Sequence, residues 1–181
     1  MLHLKNITAG NPKTAEQYQM TKRHSIVWLF SEDGRNWYEE QKNFASDTIK
    51  VAYSEKGRVV WVGKDVTGIE PTNVSIIELP DITANRRITA PGFWFYRNDE
   101  FVFDHKLKAE DERDALLKQV SIMTSDWEKD LLLGLISDED REKLKAYRIY
   151  AKSLQAMDFS TITDKTSYNA INWPERPDAA A

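Results

Sequence analysis

Hydrophobic residues in the first half of the chain fall into short runs separated by turn residues, a pattern typical of antiparallel β-strands. The Asp33-Gly34 dipeptide between two of these runs is a strong signal for a hairpin turn. The predicted strands are residues 25–30, 36–39, 48–53, 58–62, 74–79, 92–96 and 101–103. Consecutive strands are expected to pair across short turns, so this half predicts a series of antiparallel hairpins in a small sheet or sandwich.

The last predicted hairpin is rich in aromatic residues, which occupy six of the eleven positions from Phe93 to Phe103. Because side chains alternate between the two faces of a strand, Trp94 and Tyr96 share one face and the neighbouring phenylalanines share the other. Both faces are therefore apolar. Either the protein covers both faces itself, or one face provides aromatic anchors for a partner.

After residue 105 the hydrophobic residues follow the three-and-four spacing of amphipathic helices. The first helical stripe consists of Leu116, Val120, Met123, Trp127 and Leu131. Acidic residues at positions 110–112 are predicted to lie near the start of this helix, where negative charge suits the helix dipole. Gly134 is predicted to mark its end.

A second helix is predicted to begin after Ser137, whose hydroxyl is a suitable N-cap. Its inner stripe consists of Leu144, Tyr147, Ala151 and Leu154. Since only a short link separates the two helices, residues 106–157 are expected to form an antiparallel helical hairpin.

The pattern lapses in the last part of the chain. Residues 158–172 are rich in Ser, Thr, Asp and Asn and are predicted to be extended. Trp173 is expected to dock this tail on a protein surface, and Ala179–Ala181 are expected to be a flexible end. The sequence thus predicts an α+β protein with a β-rich domain of residues 1–105, a two-helix hairpin and an extended tail of residues 158–181.

Composition and charge exclude several classes of protein. The 181 residues include 25 Lys and Arg and 29 Asp and Glu, and this net charge of −4 argues against nucleic-acid binding. The absence of Cys excludes disulfides, Cys-ligated metals and Cys nucleophiles. The N-terminal residues do not form a targeting signal, and the longest apolar run, residues 131–136, is far shorter than the roughly 20 residues that span a bilayer. A soluble protein without membrane insertion is expected.

Motifs that carry chemistry are missing from the sequence. It contains no nucleophile elbow and no phosphate-binding glycine loop, and its three His residues lack the spacing of metal ligands. The acidic clusters at residues 110–112 and 138–140 lack the pattern of a calcium loop and are explained by helix starts. No metal, cofactor or catalytic residue is predicted, and the aromatic residues instead indicate an interaction surface.

Several segments follow one another in a characteristic order. They are Asp-Gly-x-x-Trp-Tyr at residues 33–38, Gly-Arg-Val-x-Trp-Val at residues 57–62, the strand at residues 74–79, Lys-Ala-Tyr-Arg at residues 145–148 and Trp-Pro-x-x-Pro at residues 173–177. In this order they resemble the tail fibre assembly proteins of tailed bacteriophages, those of Mu-like phages among them.

The resemblance implies a chaperone and not an enzyme. Such a protein binds the C-terminal, receptor-binding tip of a homotrimeric tail fibre in the cytoplasm of the infected bacterium and promotes folding and trimerisation of the fibre. For Mu-like phages the resemblance further implies that the chaperone stays on the fibre tip of the virion and contacts host lipopolysaccharide. A trimeric partner suggests three copies of the chaperone for each fibre.

The β-rich domain is the expected fibre-binding part. A trimeric β-rich tip folds slowly and exposes apolar surface and open strand edges, which apolar side chains of a partner can cover. The candidates are Trp28, Phe30, Trp37, Tyr38 and Trp61, with Trp94 and Tyr96 as secondary candidates. A position in the core is the simpler explanation for each residue taken singly. The alternative function is a lipopolysaccharide-binding module without a chaperone role, and a third is an enzyme that acts on cell-envelope sugars.

Overall fold

The computed structural model describes residues 1–177, which form two compact units. Residues 1–103 make up the β unit, and the chain from Asp104 onward makes up the helical unit. Antiparallel sheets followed by helices confirm the predicted α+β class. The predicted flexible end, Ala179–Ala181, lies outside the described residues.

The β unit contains seven strands and two short α-helices. The strands are β1 (His3–Gly10), β2 (Trp28–Phe30), β3 (Thr48–Ser54), β4 (Val59–Gly63), β5 (Val74–Pro80), β6 (Trp94–Arg97) and β7 (Glu100–Phe103). The helices are α1 (Ala15–His24) and α2 (Trp37–Glu40). Five strands form one antiparallel sheet in the order β2-β1-β5-β3-β4, while β6 and β7 form a separate hairpin.

Two of the predicted hairpins are confirmed. Strands β3 and β4 pair around Gly57, whose φ of 80° places it in the left-handed region that glycine tolerates best. Strands β6 and β7 pair around Asn98 and Asp99, with φ angles of 51° and 63°. Positive φ at both central residues is the signature of the type I′ turn, whose twist matches that of the strands it joins.

The predicted return strand at residues 36–39 is wrong. Asn36 pairs with Phe30 only through an isolated bridge, and its side chain accepts a hydrogen bond from the Tyr38 N–H at 2.9 Å. This cap starts α2, which carries Trp37 into the core. Strand β2 pairs instead with β1, an N-terminal strand that the sequence pattern did not indicate.

Both faces of the five-stranded sheet are covered by apolar side chains, as the alternation of side chains along its strands requires. One cluster consists of Leu4, Ile7, Leu29, Trp37, Ala52, Val66 and Ile76. The cluster on the other face consists of Ile49, Val51, Val59 and Ile88, with Trp94 and Phe101 of the β6–β7 hairpin packed against it. The aromatic hairpin therefore covers the sheet of its own unit.

A buried polar network fixes one end of this sheet. The Glu78 carboxylate accepts hydrogen bonds from the Leu2 N–H at 3.0 Å, the Ala45 N–H at 2.7 Å and the Thr48 hydroxyl at 2.7 Å. Burial alone would raise the pKa of Glu78, but these donors outweigh it and hold the pKa below its usual value. The buried Lys50 ammonium donates to backbone carbonyls, among them that of Lys64 at 2.9 Å.

The helical unit contains α3 (His105–Leu133), α4 (Asp138–Gln155) and the short α5 (Lys165–Asn169). Gly134 ends α3 with a φ of 72°, and Ser137 caps α4 by accepting the Asp140 N–H, as predicted. The predicted inner stripe of α4 is buried. Among residues 1–177, no helix combines the length and the apolar character that a membrane crossing requires.

The start of α3 lies earlier than the acidic residues indicated. Asp104 caps the helix by accepting the Leu107 N–H at 2.9 Å, so the acids at 110–112 lie beyond the first turn. Glu110 and Glu112 instead form ion pairs with Lys106 and Lys108, one turn before them. The predicted stripe also differs at two positions, because Met123 and Leu131 are exposed.

The prediction of an extended segment over residues 158–172 is wrong at α5. A reciprocal capping box between Asp164 and Ser167 starts this helix. Trp173 docks the tail as predicted. Its ring lies 5.7 Å from that of Phe159, and it packs against the cluster of α3 and α4 side chains that includes Leu154.

Candidate functional site

Three of the five primary candidates lie in the interior of the β unit. Trp37 is 1% exposed and belongs to the core cluster, while Trp28 and Phe30 are buried on β2. The Trp28 indole N–H donates to the Thr21 hydroxyl at 2.8 Å, which ties β2 to α1. The Lys13 ammonium lies 4.1 Å from the centre of the Phe30 ring. Each of these side chains has a packing role, and a fibre contact by any of them stays a prediction.

Trp61 and Trp94 are half-buried and pack against the clusters on opposite faces of the sheet. Trp61 packs against the core cluster that contains Trp37, and its ring fills the space that a side chain at Gly63 would need. Trp94 packs with Phe103, 5.5 Å away between ring centres, over the opposite face of the sheet. A shared role of both tryptophans in one binding site therefore has no geometric support.

Tyr96 lies at the centre of a cluster of rings between the β6–β7 hairpin and the sheet. Its ring centre is 4.6 Å from that of Tyr53, 5.0 Å from that of Phe101 and 5.7 Å from that of His3. Burial and the hydrogen bond to Asp99, at 3.1 Å, raise the pKa of Tyr96 to about 12. This cluster holds the hairpin on the sheet, so we assign Tyr96 a structural role first.

His3 joins this cluster through the Tyr53 hydroxyl, which lies 2.7 Å from its Nε2 atom. Burial lowers the pKa of His3, with a further contribution from the charge of Lys5. The imidazole is therefore held in its neutral form, and protonation of this ring opposes folding of the β unit.

The fifth candidate, Tyr38, is 45% exposed and belongs to an apolar surface. Its hydroxyl donates to the Val27 carbonyl at 2.9 Å, and its ring stands edge-on to Trp28 at 5.7 Å. The side chain of Val27 and two large apolar side chains of α1 are also exposed. We define the α1–β2 surface as Val27 and Tyr38; Tyr18 and Met20 are also exposed on α1, where they point about 160° apart around the helix axis.

Trp28 supports the α1–β2 surface from the interior, and the last turn of α1 carries positive charge. Trp28 fixes α1 through Thr21 and fixes Tyr38 through ring contact, so buried side chains support the exposed ones. Lys22 and Arg23 lie in the last turn of α1, where cations complement the helix dipole. The Lys22 ammonium also lies 5.5 Å from the centre of the Tyr18 ring.

Sequence reasoning missed Tyr18, Met20 and Val27. Val27 stands within an apolar run and was assigned to a strand, yet β2 begins only at Trp28 and Val27 is 61% exposed. The alternation of apolar and polar residues at helical spacing over residues 15–24 was the sequence signal that could have predicted α1 and its exposed residues.

The α1–β2 surface consists of an aromatic and an aliphatic side chain. Residues 1–177 contain no group of three or more His, Asp or Glu side chains arranged to hold a metal ion. Exposed aromatic and aliphatic side chains are suited to covering apolar surface on another protein.

Comparison with known proteins identifies the family. A family model described as "Caudovirales tail fibre assembly protein, lambda gpK" matches residues 39–178. The chain belongs to the tail fibre assembly protein family. The resemblance seen in the sequence motifs is thereby confirmed.

Individual tail fibre assembly proteins match along almost the whole chain. Tail fiber assembly protein U′ of Escherichia phage Mu is 43% identical over 184 residues, which cover 98% of this chain and 100% of that protein. The protein of the same name from Escherichia phage P1 is 44% identical with the same coverage. The probable tail fiber assembly protein of Escherichia phage P2 is 38% identical, over 98% of this chain and 99% of that protein. The similarity therefore includes both units.

Proposed function

We propose that this tail fibre assembly protein is a chaperone of the phage tail fibre in the infected host cell. It binds the C-terminal, receptor-binding tip of the trimeric fibre and promotes its folding and trimerisation. The observation that carries the proposal is the full-length similarity, at 43% and 44% identity, to proteins named for tail fibre assembly.

The physical need for such a chaperone follows from the topology of its partner. Strands of a trimeric β-rich tip pair over long sequence separations and between chains, so the tip folds slowly and exposes apolar edges meanwhile. A protein that covers these edges suppresses aggregation. If it binds the folded tip more tightly than the unfolded chain, it also stabilises the trimer by mass action.

The β unit is the proposed fibre-binding part, and the α1–β2 surface is its contact. Val27 and Tyr38 are exposed on this surface, and Trp28 supports the Tyr38 ring from the interior. Among the residues predicted from sequence, Tyr38 is the one that is more than one-third exposed on this surface.

We further propose one copy of the protein for each fibre chain and its retention on the tip of the virion. The exposed rings of Tyr18 and Tyr38 would then be available to stack on sugars of host lipopolysaccharide. Binding of purified lipopolysaccharide by this protein, without any effect on the fibre, would instead favour the glycan-binding alternative.

Co-expression with the C-terminal part of the fibre from the same phage tests the chaperone role. We expect the fibre part to be recovered as soluble trimer with the wild-type chain and mostly as aggregate without it. Tyr38→Ala should reduce the yield of trimer, while Ile82→Ala, which removes another exposed apolar side chain of the β unit, should not. Equal yields of trimer with and without the chain would contradict the proposal.

A further inference from the structure

The tip of the helical hairpin exposes four leucines within five residues. Leu132 is 87% exposed, Leu133 and Leu135 are each 71% exposed, and Leu131 is 46% exposed. Ile136, by contrast, is buried. A cluster of this size at a projecting turn is a typical interaction site, because isolated exposed leucines are common but contiguous ones are not.

The turn itself does not need these leucines. Gly134 provides the left-handed conformation, and its N–H and that of Leu135 satisfy the last carbonyls of α3, with the Leu135 N–H donating to the Asp130 carbonyl at 2.8 Å. These bonds involve the backbone alone. Polar side chains at positions 131–133 would keep the same hydrogen bonds, so the apolar tip has no role in closing the turn.

Negative charge surrounds this leucine tip. Residues 126–143 carry seven acidic and three basic side chains, a net charge of −4 that equals the net charge of the entire sequence. The remaining residues are balanced, with 22 acidic and 22 basic side chains. The acidic border would repel an anionic lipid surface and the equivalent tip of a second copy, whereas it attracts a surface that carries Lys or Arg.

A groove of about 590 Å³ lies beside the tip on the helical unit. Trp127 and Tyr147 provide aromatic lining, and the charged lining consists of Glu139, Glu142 and Lys143, of which Glu139 and Lys143 form an ion pair at 2.6 Å. An aromatic wall next to carboxylates is the environment that favours a guanidinium or ammonium group. Since Glu139 is paired with Lys143, Glu142 beside the aromatic wall is the carboxylate of the groove that a basic partner would meet.

We propose that the leucine tip is a second fibre contact, which inserts into an apolar cleft of the fibre chain while a Lys or Arg beside that cleft enters the Trp127 groove. This inference rests on the proposed function. It adds to that function a contact on the helical unit. The contact is apolar at its centre, and at its edge acidic side chains of this chain face basic side chains of the fibre.

The test compares variants of the full chain with the C-terminal fibre part from the same phage. Leu132→Glu combined with Leu133→Glu should weaken the binding to the fibre part about tenfold or more. The matched control is Ile122→Glu, a 68% exposed position on the same helix, about 15 Å along its axis, which should bind as the wild type does. Circular dichroism should be the same for all three proteins, since the changed side chains are exposed.

Two further measurements test the charged edge of the contact and the contact of the leucine tip itself. Glu139→Lys combined with Glu142→Lys should weaken the binding and reduce its dependence on salt. A photo-crosslinker at position 132, introduced as Leu132→p-benzoylphenylalanine, should join the protein to the fibre chain, and the same group at position 122 should not.

The outcomes separate the inference from the proposed function. If the tip variant binds the fibre with unchanged affinity while Tyr38→Ala weakens binding, the inference is overturned and the proposed function stands. If the wild-type chain does not bind the fibre part, both fail. The chain could also self-associate or bind phosphatidylglycerol vesicles. If the tip variant loses either property, the inference is overturned and the leucine tip is a contact for a second copy or for lipid.

Discussion

Adjacent aromatic residues of α2 serve different purposes. Trp37 is 1% exposed inside the core, whereas Tyr38 is 45% exposed on the α1–β2 surface. Consecutive positions on a helix point about 100° apart, so a single turn that is capped by Asn36 places one ring inside and the next outside. The account therefore requires that the two residues differ in their contributions to stability and to binding.

The first prediction concerns the unfolding free energy of variants of these two residues. Trp37→Ala should lower it by about 3–5 kcal/mol, because it leaves a large cavity in the core. Tyr38→Ala should lower it by about 1 kcal/mol, mainly through loss of the hydrogen bond to Val27. Urea denaturation measures both values. A loss as large for Tyr38 as for Trp37 would place Tyr38 in the core and remove it from the proposed interface.

The second prediction concerns the pH dependence that His3 gives to stability. Because burial lowers the pKa of His3 in the folded state, the unfolded chain binds more protons below its own pKa of about 6.5. The stabilisation by neutral His3 is complete above that pH and declines as the pH falls toward the lowered pKa. His3→Gln should therefore flatten the dependence of unfolding free energy on pH as the pH falls below about 6.5. An unchanged slope in this variant would show that His3 does not titrate in this range.

At the scale of elements, the two hairpin turns that contain glycine differ in how closely they are packed. Gly57 and Gly134 both have positive φ, at 80° and 72°. A Cβ atom at Gly57 would collide with the Tyr96 carbonyl, which belongs to the β6–β7 hairpin, whereas a Cβ at Gly134 would have open space around it.

The third prediction compares alanine at these positions. Gly134→Ala should cost about 1–2 kcal/mol, the penalty for a left-handed residue with a side chain. Gly57→Ala should cost more, because it adds a steric collision that displaces the β6–β7 hairpin from the sheet. Thermal unfolding measures both, and near-ultraviolet circular dichroism of the Tyr53 and Tyr96 cluster should change for Gly57→Ala alone. Equal losses would contradict the close contact between Gly57 and Tyr96.

Elements with strong local signals could be predicted from the sequence. Turn residues defined the β3–β4 and β6–β7 hairpins, and Gly134 with Ser137 defined the link between α3 and α4. Strand β1 could not be predicted, because its pairing register with β5 shifts between Leu4 and Ile7, which breaks the regular alternation of apolar residues. The aromatic residues of α2 favour a strand, so the sequence predicts one there. The Asn36 cap and the burial of Trp37 stabilise a helix instead.

The candidate site was only partly predictable for a related reason. Sequence indicates which residues are large and apolar, but exposure depends on contacts between elements that are distant along the chain. Trp28 is buried because α1 packs over it. Tyr38 is exposed although its neighbour on the same short helix, Trp37, is buried. Leu131 has the spacing of the apolar stripe of α3, which predicts a position in the interior. It is exposed at the hairpin tip.

At the scale of the whole molecule, each unit has its own hydrophobic cluster and its own exposed apolar surface. The β unit has cores on both faces of its sheet and presents the α1–β2 surface. The helical unit is built around Val120, Tyr147 and Leu154 and presents the leucine tip. If both proposed contacts engage one fibre at the same time, its affinity for the chain would exceed that of either contact alone.

Size-exclusion chromatography with light scattering, after co-expression with the C-terminal fibre part, shows whether the chain and the fibre form a stable complex. The account predicts one complex that contains a fibre trimer and three copies of this chain. A fibre trimer that forms equally well without the chain, and that elutes without it after co-expression, would contradict the account.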